Sequence, residues 1–218
     1  MFDKIELLKK KSYYPDTILD IGAYHGNWTS SMEQIYTNCK YYLFEAIDYP
    51  ELNKFNKTDI KVFNLLLNDK IEHVNWYQMC NTGDSMFKEK TKHFENCTSI
   101  KRKTIDLNTF FLENETLLQN SKNILIKIDC QGAEIPILKG ATNILNKTDF
   151  IILEIPLFGQ YNENVPNFLE HIIFMDSIGF TTYDIIDNHY INNFNMQVDV
   201  LFINKNHEFN NTVHELIK

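Results

Sequence analysis

Residues 17 to 29 read Thr-Ile-Leu-Asp-Ile-Gly-Ala-Tyr-His-Gly-Asn-Trp-Thr, and no other stretch restricts the fold as tightly. An apolar run (Ile18, Leu19, Ile21) carries one acid, Asp20, and passes at once into Gly22 and Gly26, after which a helical pattern begins. That order predicts a buried strand, a tight turn and a helix start. Such a turn presents backbone N–H groups to the polar atoms of a ligand, and a Cβ at either glycine blocks close backbone approach.

The next strand narrows the ligand. Residues 41 to 47, Tyr-Tyr-Leu-Phe-Glu-Ala-Ile, place Glu45 23 positions after Gly22. In a βαβ unit an acid at that distance reaches the ribose hydroxyls of an adenosine-containing ligand. Two ligands fit, a dinucleotide such as NAD and S-adenosyl-L-methionine. A dinucleotide loop carries a glycine where this chain has Asp20. A carboxylate there repels a pyrophosphate and attracts an ammonium and a sulfonium, so the Asp-x-Gly-x-x-x-Gly form favours S-adenosyl-L-methionine. The expected cofactor residues on these two segments are Asp20, Gly22, Ala23, Tyr24, Gly26 and Asn27, then Glu45 and Ala46. Asp20 is expected to meet the methionine ammonium, directly or through water. Tyr24 and Trp28 are candidates for an aromatic wall at the sulfonium, although core packing explains Trp28 equally well.

At 218 residues and 44% hydrophobic content the chain suits one globular domain, residues 1–218, with a leading helix within 1–14. A net charge of −8 argues against a general nucleic-acid partner, and the densest basic runs, Lys9–Lys11 and Lys101–Lys103, read as a solvated helix end and an exposed strand. No apolar stretch approaches the ~20 residues of a membrane span. The charged N-terminus lacks a signal-peptide core, and Cys39, Cys80, Cys97 and Cys130 have no metal or disulfide spacing. The expected location is the cytoplasm.

Strand and helix patterns alternate along the chain. Strands are expected at 17–22, 41–46, 61–67, 73–79, 99–107, 123–130 and 149–156. Helices are expected at 3–11, 27–37, 107–113, through Ile137–Leu145, and at 165–178. Residues 80–97 read as a polar loop, and 179–186 and 198–204 as two closing strands joined by a polar stretch. Repeated βα units with a closing hairpin predict a doubly wound α/β fold, a mostly parallel seven-stranded sheet with a terminal antiparallel hairpin.

Three stretches, Leu19–Thr29, Leu43–Ile47 and Ile126–Ala141, together with the Ile151–Pro156 to Val198–Lys205 region, resemble the FkbM family of S-adenosyl-L-methionine-dependent methyltransferases. The likeness covers roughly residues 15–205 and is most specific at Lys127-Ile-Asp-x-x-Gly-Ala-Glu134, followed by Leu138-Lys-Gly-Ala141. Cys130-Gln131 departs from it, since many members carry Val-Glu there. The resemblance implies a class I methyltransferase fold and an acceptor hydroxyl on a sugar or a macrolide-like compound. A nucleotide-linked or polymer-attached sugar in glycan biosynthesis is the expected acceptor, and a homo-oligomer is compatible with the family.

Ligands of open α/β sheets lie beyond the carboxyl ends of the strands. Asn68 and Asp69, closing the third strand, are expected to flank the adenine, and Ser85 joins them on family likeness alone. A hydroxyl acceptor must lose its proton, which calls for a base. Asp129 is the first candidate, Glu154 the second, and His25, in the turn, the third. Glu134 reads as a first-turn helix acid. Asp129 and Glu154 supply only two oxygen ligands, so a divalent metal is left unassigned. Two other readings compete: an NAD-dependent oxidoreductase on the same sheet, and an inactive cofactor-binding partner protein. The acceptor itself is set by segments 80–97, 156–166 and 187–197, which carry no readable code.

Overall fold

Every residue of Thr17–Ile21 and of Ile124–Ile128 is buried, as expected of strands covered on both faces, and the two lie side by side in parallel at the centre of the sheet. The structure, a computed structural model, describes residues 1–158 and 160–217 and only the backbone of His214. Gly159, inside the 156–166 segment, and Lys218 lie outside the described residues.

In chain order the elements are α1 (Phe2–Lys10), β1 (Thr17–Ile21), α2 (Asn27–Ile35), β2 (Lys40–Glu45), β3 (Ile60–Asn64), β4 (Leu66–Leu67), β5 (His73–Gln78), β6 (Thr98–Ile105), α3 (Leu107–Glu113), β7 (Ile124–Ile128), α4 (Glu134–Lys139), α5 (Thr142–Leu145), β8 (Thr148–Pro156), α6 (Phe168–Ser177), β9 (Phe180–Ile191), β10 (Phe194–Asn204) and α7 (Phe209–Leu216). A 3-10 turn, Pro50–Phe55, links β2 to β3. The main sheet has seven strands in the order β3-β2-β1-β7-β8-β10-β9. The first five run parallel, and β10 is antiparallel to both its neighbours. The expected fold class is therefore the one observed.

Alternate strand residues feed two cores. Leu19, Ile21, Phe44, Ile126 and Ile128 pack under Phe110 of α3, Leu138 of α4 and Met175 of α6. On the other face Ile18, Leu43, Leu125 and Ile152 meet Ile5 and Leu8 of α1 and Met32 of α2. The strand order reverses between β1 and β7, and the crevice beyond their carboxyl ends is where such sheets bind ligands.

Four local expectations change. The apolar run 61–67 is not one strand: it breaks at Leu65, and Leu66–Leu67 leaves the main sheet to pair with β6. The 73–79 segment does not join the main sheet either, but completes a three-stranded sheet of order β4-β6-β5. Apolar content alone does not say which sheet a strand enters. The polar 187–197 stretch is mostly strand, turning at Asn192 and Asn193, whose φ values of 48° and 66° suit a two-residue hairpin turn that asparagine tolerates. Helix α6 starts at Phe168 because Asn167 and Glu170 form a capping box.

Gly22 shows why the first turn needs glycine. Its φ is +75°, and a Cβ there would lie 1.9 Å from the carbonyl oxygen of Asp129 at the end of β7. The close approach is therefore between two strands of the chain itself. Gly22→Ala is expected to lower unfolding stability by about 2 kcal/mol or more, read as a reduced denaturation midpoint in urea. A midpoint equal to the parent would contradict this packing.

Candidate functional site

A cavity of about 600 Å³ opens beyond the carboxyl ends of β1, β2, β7 and β8, within the size range of small-molecule sites. Gly22 and Tyr24 line it from the first turn, Glu45, Ala46 and Ile47 from the end of β2 and just beyond it, Asp129, Cys130 and Gln131 from the segment after β7, and Glu154 from β8. Leu65, Leu66 and Ile137 add an apolar wall. The loop after β5 forms a roof through Asp84, Met86, Glu89 and Phe94. Asp84 secures this roof by accepting the backbone N–H groups of Met79 and Cys80 at 2.8 and 2.9 Å. The Ser85 hydroxyl donates to the Gln131 carbonyl at 2.9 Å. Main-chain bonds join the roof to the segment after β8: Lys90 N–H donates to the Tyr161 carbonyl at 2.7 Å and Glu163 N–H to that of Lys88 at 2.8 Å. Five carboxylic residues line the cavity, Glu45, Asp84, Glu89, Asp129 and Glu154, and among the described residues no lysine or arginine does.

Glu45 is oriented by the backbone of the chain itself. One carboxylate oxygen accepts the Tyr24 N–H at 2.8 Å and the other the Ile47 N–H at 3.0 Å. Each oxygen keeps a further acceptor site. Burial raises its pKa, and the two amides work against that rise. The bond to Glu45 also holds Tyr24 at a φ of 49°, a conformation uncommon for residues other than glycine. The Tyr24 ring stacks on His25, centroids 3.8 Å apart.

Asp20 sits behind the turn, fully buried, outside the cavity lining. Its carboxylate accepts the Thr29 hydroxyl at 2.6 Å and lies 3.4 Å from the Lys127 ammonium. Burial raises the Asp20 pKa, with Lys127 and Thr29 pulling it back. Lys127 also donates to the Gly22 carbonyl at 3.0 Å and stands 3.5 Å from Asp129. Burial opposes its charge, but Asp129 and Asp20 overcome that and hold its pKa above the ordinary value. A lysine inside the apolar strand Ile124–Ile128 was the visible signal for this cation.

At the other end of the cavity, Gln131 donates from one amide nitrogen to Asp129 at 3.3 Å and to Glu154 at 2.9 Å. It thus supplies a donor between two acids. Gln197 of β10 donates to the same Glu154 oxygen at 2.9 Å. His189 of β9 lies 2.7 Å from Asp199 and 3.8 Å from the second Glu154 oxygen. Burial, then Asp129 and Asp199, push Glu154 well above the usual carboxylate range. Gln197, His189 and Asp199 come together through the β8–β10–β9 register, which opposes Asp199 to both Glu154 and Asp187. No local motif announces that register.

Of the residues singled out from the sequence, Gly22, Tyr24, Glu45, Ala46, Asp129 and Glu154 line the cavity. Ala23, His25, Gly26, Asn27, Asn68, Asp69 and Ser85 do not. Asn68 bonds Glu72 at 3.0 Å beside β4, and Gly26 lies against the Phe55 ring. Trp28 is half-buried on the α1–α2 side of the sheet, its indole N–H on the Met1 sulfur at 3.1 Å. Among the described residues no three His, Cys, Asp or Glu side chains are arranged to hold a metal ion, and no helix is long and apolar enough to cross a membrane.

Residues 20–182 match a family model described as the methyltransferase FkbM domain. Among solved structures, the chain is similar to a methyltransferase FkbM from Methylobacillus flagellatus, at 12% identity and a TM-score of 0.51, covering 85% of this chain and 43% of that one. It is also similar to the 1,6-didemethyltoxoflavin-N1-methyltransferase of Burkholderia thailandensis, solved with bound 1,6-didemethyltoxoflavin and S-adenosylhomocysteine, at 10% identity and a TM-score of 0.49, covering 92% and 76%. The chain thus spans less than half the length of the first of these. No curated protein matches the chain.

Glu134, fully buried at the start of α4, accepts the backbone N–H groups of Cys130 and Gly132 at 3.0 and 3.2 Å. Burial pushes its pKa from 4.5 up to about 7. The folded protein therefore retains a proton that the unfolded chain releases first, and stability falls as pH rises through that window. Glu134→Gln keeps an acceptor oxygen and removes the titration. Its stability relative to the parent is expected to rise by up to roughly 3 kcal/mol between pH 4.5 and 7, measured by urea denaturation at several pH values. A pH-independent difference would show that Glu134 is ionised throughout.

Proposed function

The chain belongs to the FkbM methyltransferase family, and from that premise we propose that it transfers a methyl group from S-adenosyl-L-methionine to a hydroxyl of a sugar in glycan biosynthesis. The observation that carries the cofactor reading is the charge of the cavity: five carboxylic residues and, among the described residues, no lysine or arginine. A pyrophosphate faces repulsion there, whereas a sulfonium and an ammonium are attracted. This disfavours NAD, and with it an acceptor that must bring a pyrophosphate into the cavity.

The residues present fit the cofactor. Glu45, anchored by two amides with acceptor sites to spare, suits a ribose diol, and Leu65, Leu66 and Ile137 suit the faces of a purine. Tyr24 offers an aromatic ring, and a cation over its face gains ~1 kcal/mol. When bound, S-adenosyl-L-methionine supplies a methyl carbon made electrophilic by its positive sulfur. The chain's own part is to orient the acceptor and take its proton. Asp129, 3.5 Å from Lys127, is the carboxylate proposed to accept that proton. Glu154, whose pKa burial and the neighbouring acids push well above the usual carboxylate range, is proposed to hold the acceptor through a hydrogen bond. Asp20, fully buried and outside the cavity lining, does not reach the methionine ammonium and acts at one remove, through Lys127.

Two variants separate binding from chemistry. Glu45→Ala is expected to weaken S-adenosylhomocysteine binding about 10- to 150-fold, the scale of ~1.5–3 kcal/mol for a charged hydrogen bond, by titration calorimetry. Asp129→Asn is expected to bind the cofactor normally and to lose ~10²- to 10⁴-fold in turnover, followed as S-adenosylhomocysteine release with glycan acceptors. Unchanged binding in the first variant would sink the cofactor assignment. Methyl transfer to tRNA, DNA or protein with none to any glycan would sink the acceptor class.

A further inference from the structure

The cavity does not end at its polar wall. Ile191, at the tip of β9, lines it and yet is 52% exposed. Directly across the hairpin from Ile191 stands Phe194, 58% exposed. The Phe194 ring stacks on Phe158, itself 61% exposed, with centroids 5.8 Å apart and planes within 15°. One apolar surface therefore runs unbroken from the cavity wall to solvent. It is held from below by the backbone, since Leu157 and Phe158 donate their N–H groups to the Met196 carbonyl at 2.8 and 3.3 Å. The protein's own core makes no use of these two rings. Large exposed apolar side chains grouped at a cavity mouth mark a binding surface.

We propose that the acceptor is amphiphilic: its hydroxylated head enters the cavity toward Asp129 and Glu154, and an apolar tail lies along Ile191, Phe194 and Phe158. This rests on the hydroxyl-acceptor reading above and adds the tail. Two other occupants fit less well. Three half-exposed side chains offer roughly 350 Å², under half of the ~800 Å² each partner of a stable dimer buries. An anionic membrane surface is attracted by basic residues, whereas this protein carries a net charge of −8. The polar side of the tip is asparagine, at 192, 193 and 195. An apolar tail continuous with a polar head matches the continuity of shelf and cavity.

The test uses the full chain saturated with S-adenosylhomocysteine and titrated with methyl, hexyl and octyl β-D-glucosides below their micelle concentrations. Each methylene removed from water strengthens binding by roughly fourfold, so even a partly covered octyl tail is expected to bind at least ~30-fold tighter than methyl. The double variant Phe158→Ser with Phe194→Ser, at two exposed positions, is expected to erase that dependence while leaving S-adenosylhomocysteine affinity unchanged. Binding independent of tail length, no binding of the octyl compound, or an equal tail dependence in the double variant would overturn the proposal. So would a concentration-dependent dimer, or flotation with phosphatidylglycerol vesicles, abolished by the same substitutions. Methylation of glycans without tail dependence would remove the shelf and leave the reaction standing; tail dependence with no glycan methylated would do the reverse.

Discussion

Lys127 is the point on which the site depends. Its buried ammonium reaches Asp20 on β1, the Gly22 carbonyl in the turn and Asp129 at the end of its own strand. One cation thereby ties the two central strands together where the strand order reverses. An isolated buried ammonium is costly, and so is a fully buried carboxylate; each makes the other tolerable only while both stay in place. Around this pair the Gly22 backbone closes on the Asp129 carbonyl, which fixes the height at which Asp129 enters the cavity. The positions of Tyr24 and Glu45 follow from the same turn, since the Glu45 carboxylate is bonded to the Tyr24 amide.

A buried cation held behind the wall, and five acids with no lysine or arginine among the described residues on it, leave the cavity with an excess of acidic groups. The positive charge of Lys127 is spent on Asp20 and Asp129, so the cavity itself presents acceptors. Gln131 and Gln197 then temper the acidic end by donating to Glu154. The Gln131 amide stands as a donor between Asp129 and Glu154, two like charges that resist ionising together when packed that closely.

The sheet was readable because its signals are local. Strands buried on both faces show as unbroken apolar runs, and an acid or glycine at their carboxyl ends marks where they stop. Gly22, Glu45 and Asp129 lie in such places. The break at Leu65 was hidden, because an apolar run reads the same whether it stays in one sheet or crosses to another. Asn68 and Asp69 were read as the end of that run and lie beside β4, away from the cavity lining. The His189–Asp199–Glu154 grouping was out of reach for another reason. It is made by antiparallel register between β8, β10 and β9, with three register shifts along β9–β10, and each shift moves side chains from one face to the other.

The roof over the cavity is joined to the segment after β8 by main-chain hydrogen bonds, Lys90 to Tyr161 and Glu163 to Lys88. Such bonds are blind to side-chain identity. Apart from Asp84, Ser85 and Asn162, whose side chains fasten it, the span that frames the opening can therefore exchange residues facing the acceptor without losing these bonds. Divergence in substrate preference then requires no new fold and no matched pair of mutations. The strands that hold Glu45, Lys127 and Asp129 enjoy no such freedom, since there each side chain is itself the fastening. Rigid chemistry and variable recognition are thus housed in separately evolvable parts of one chain.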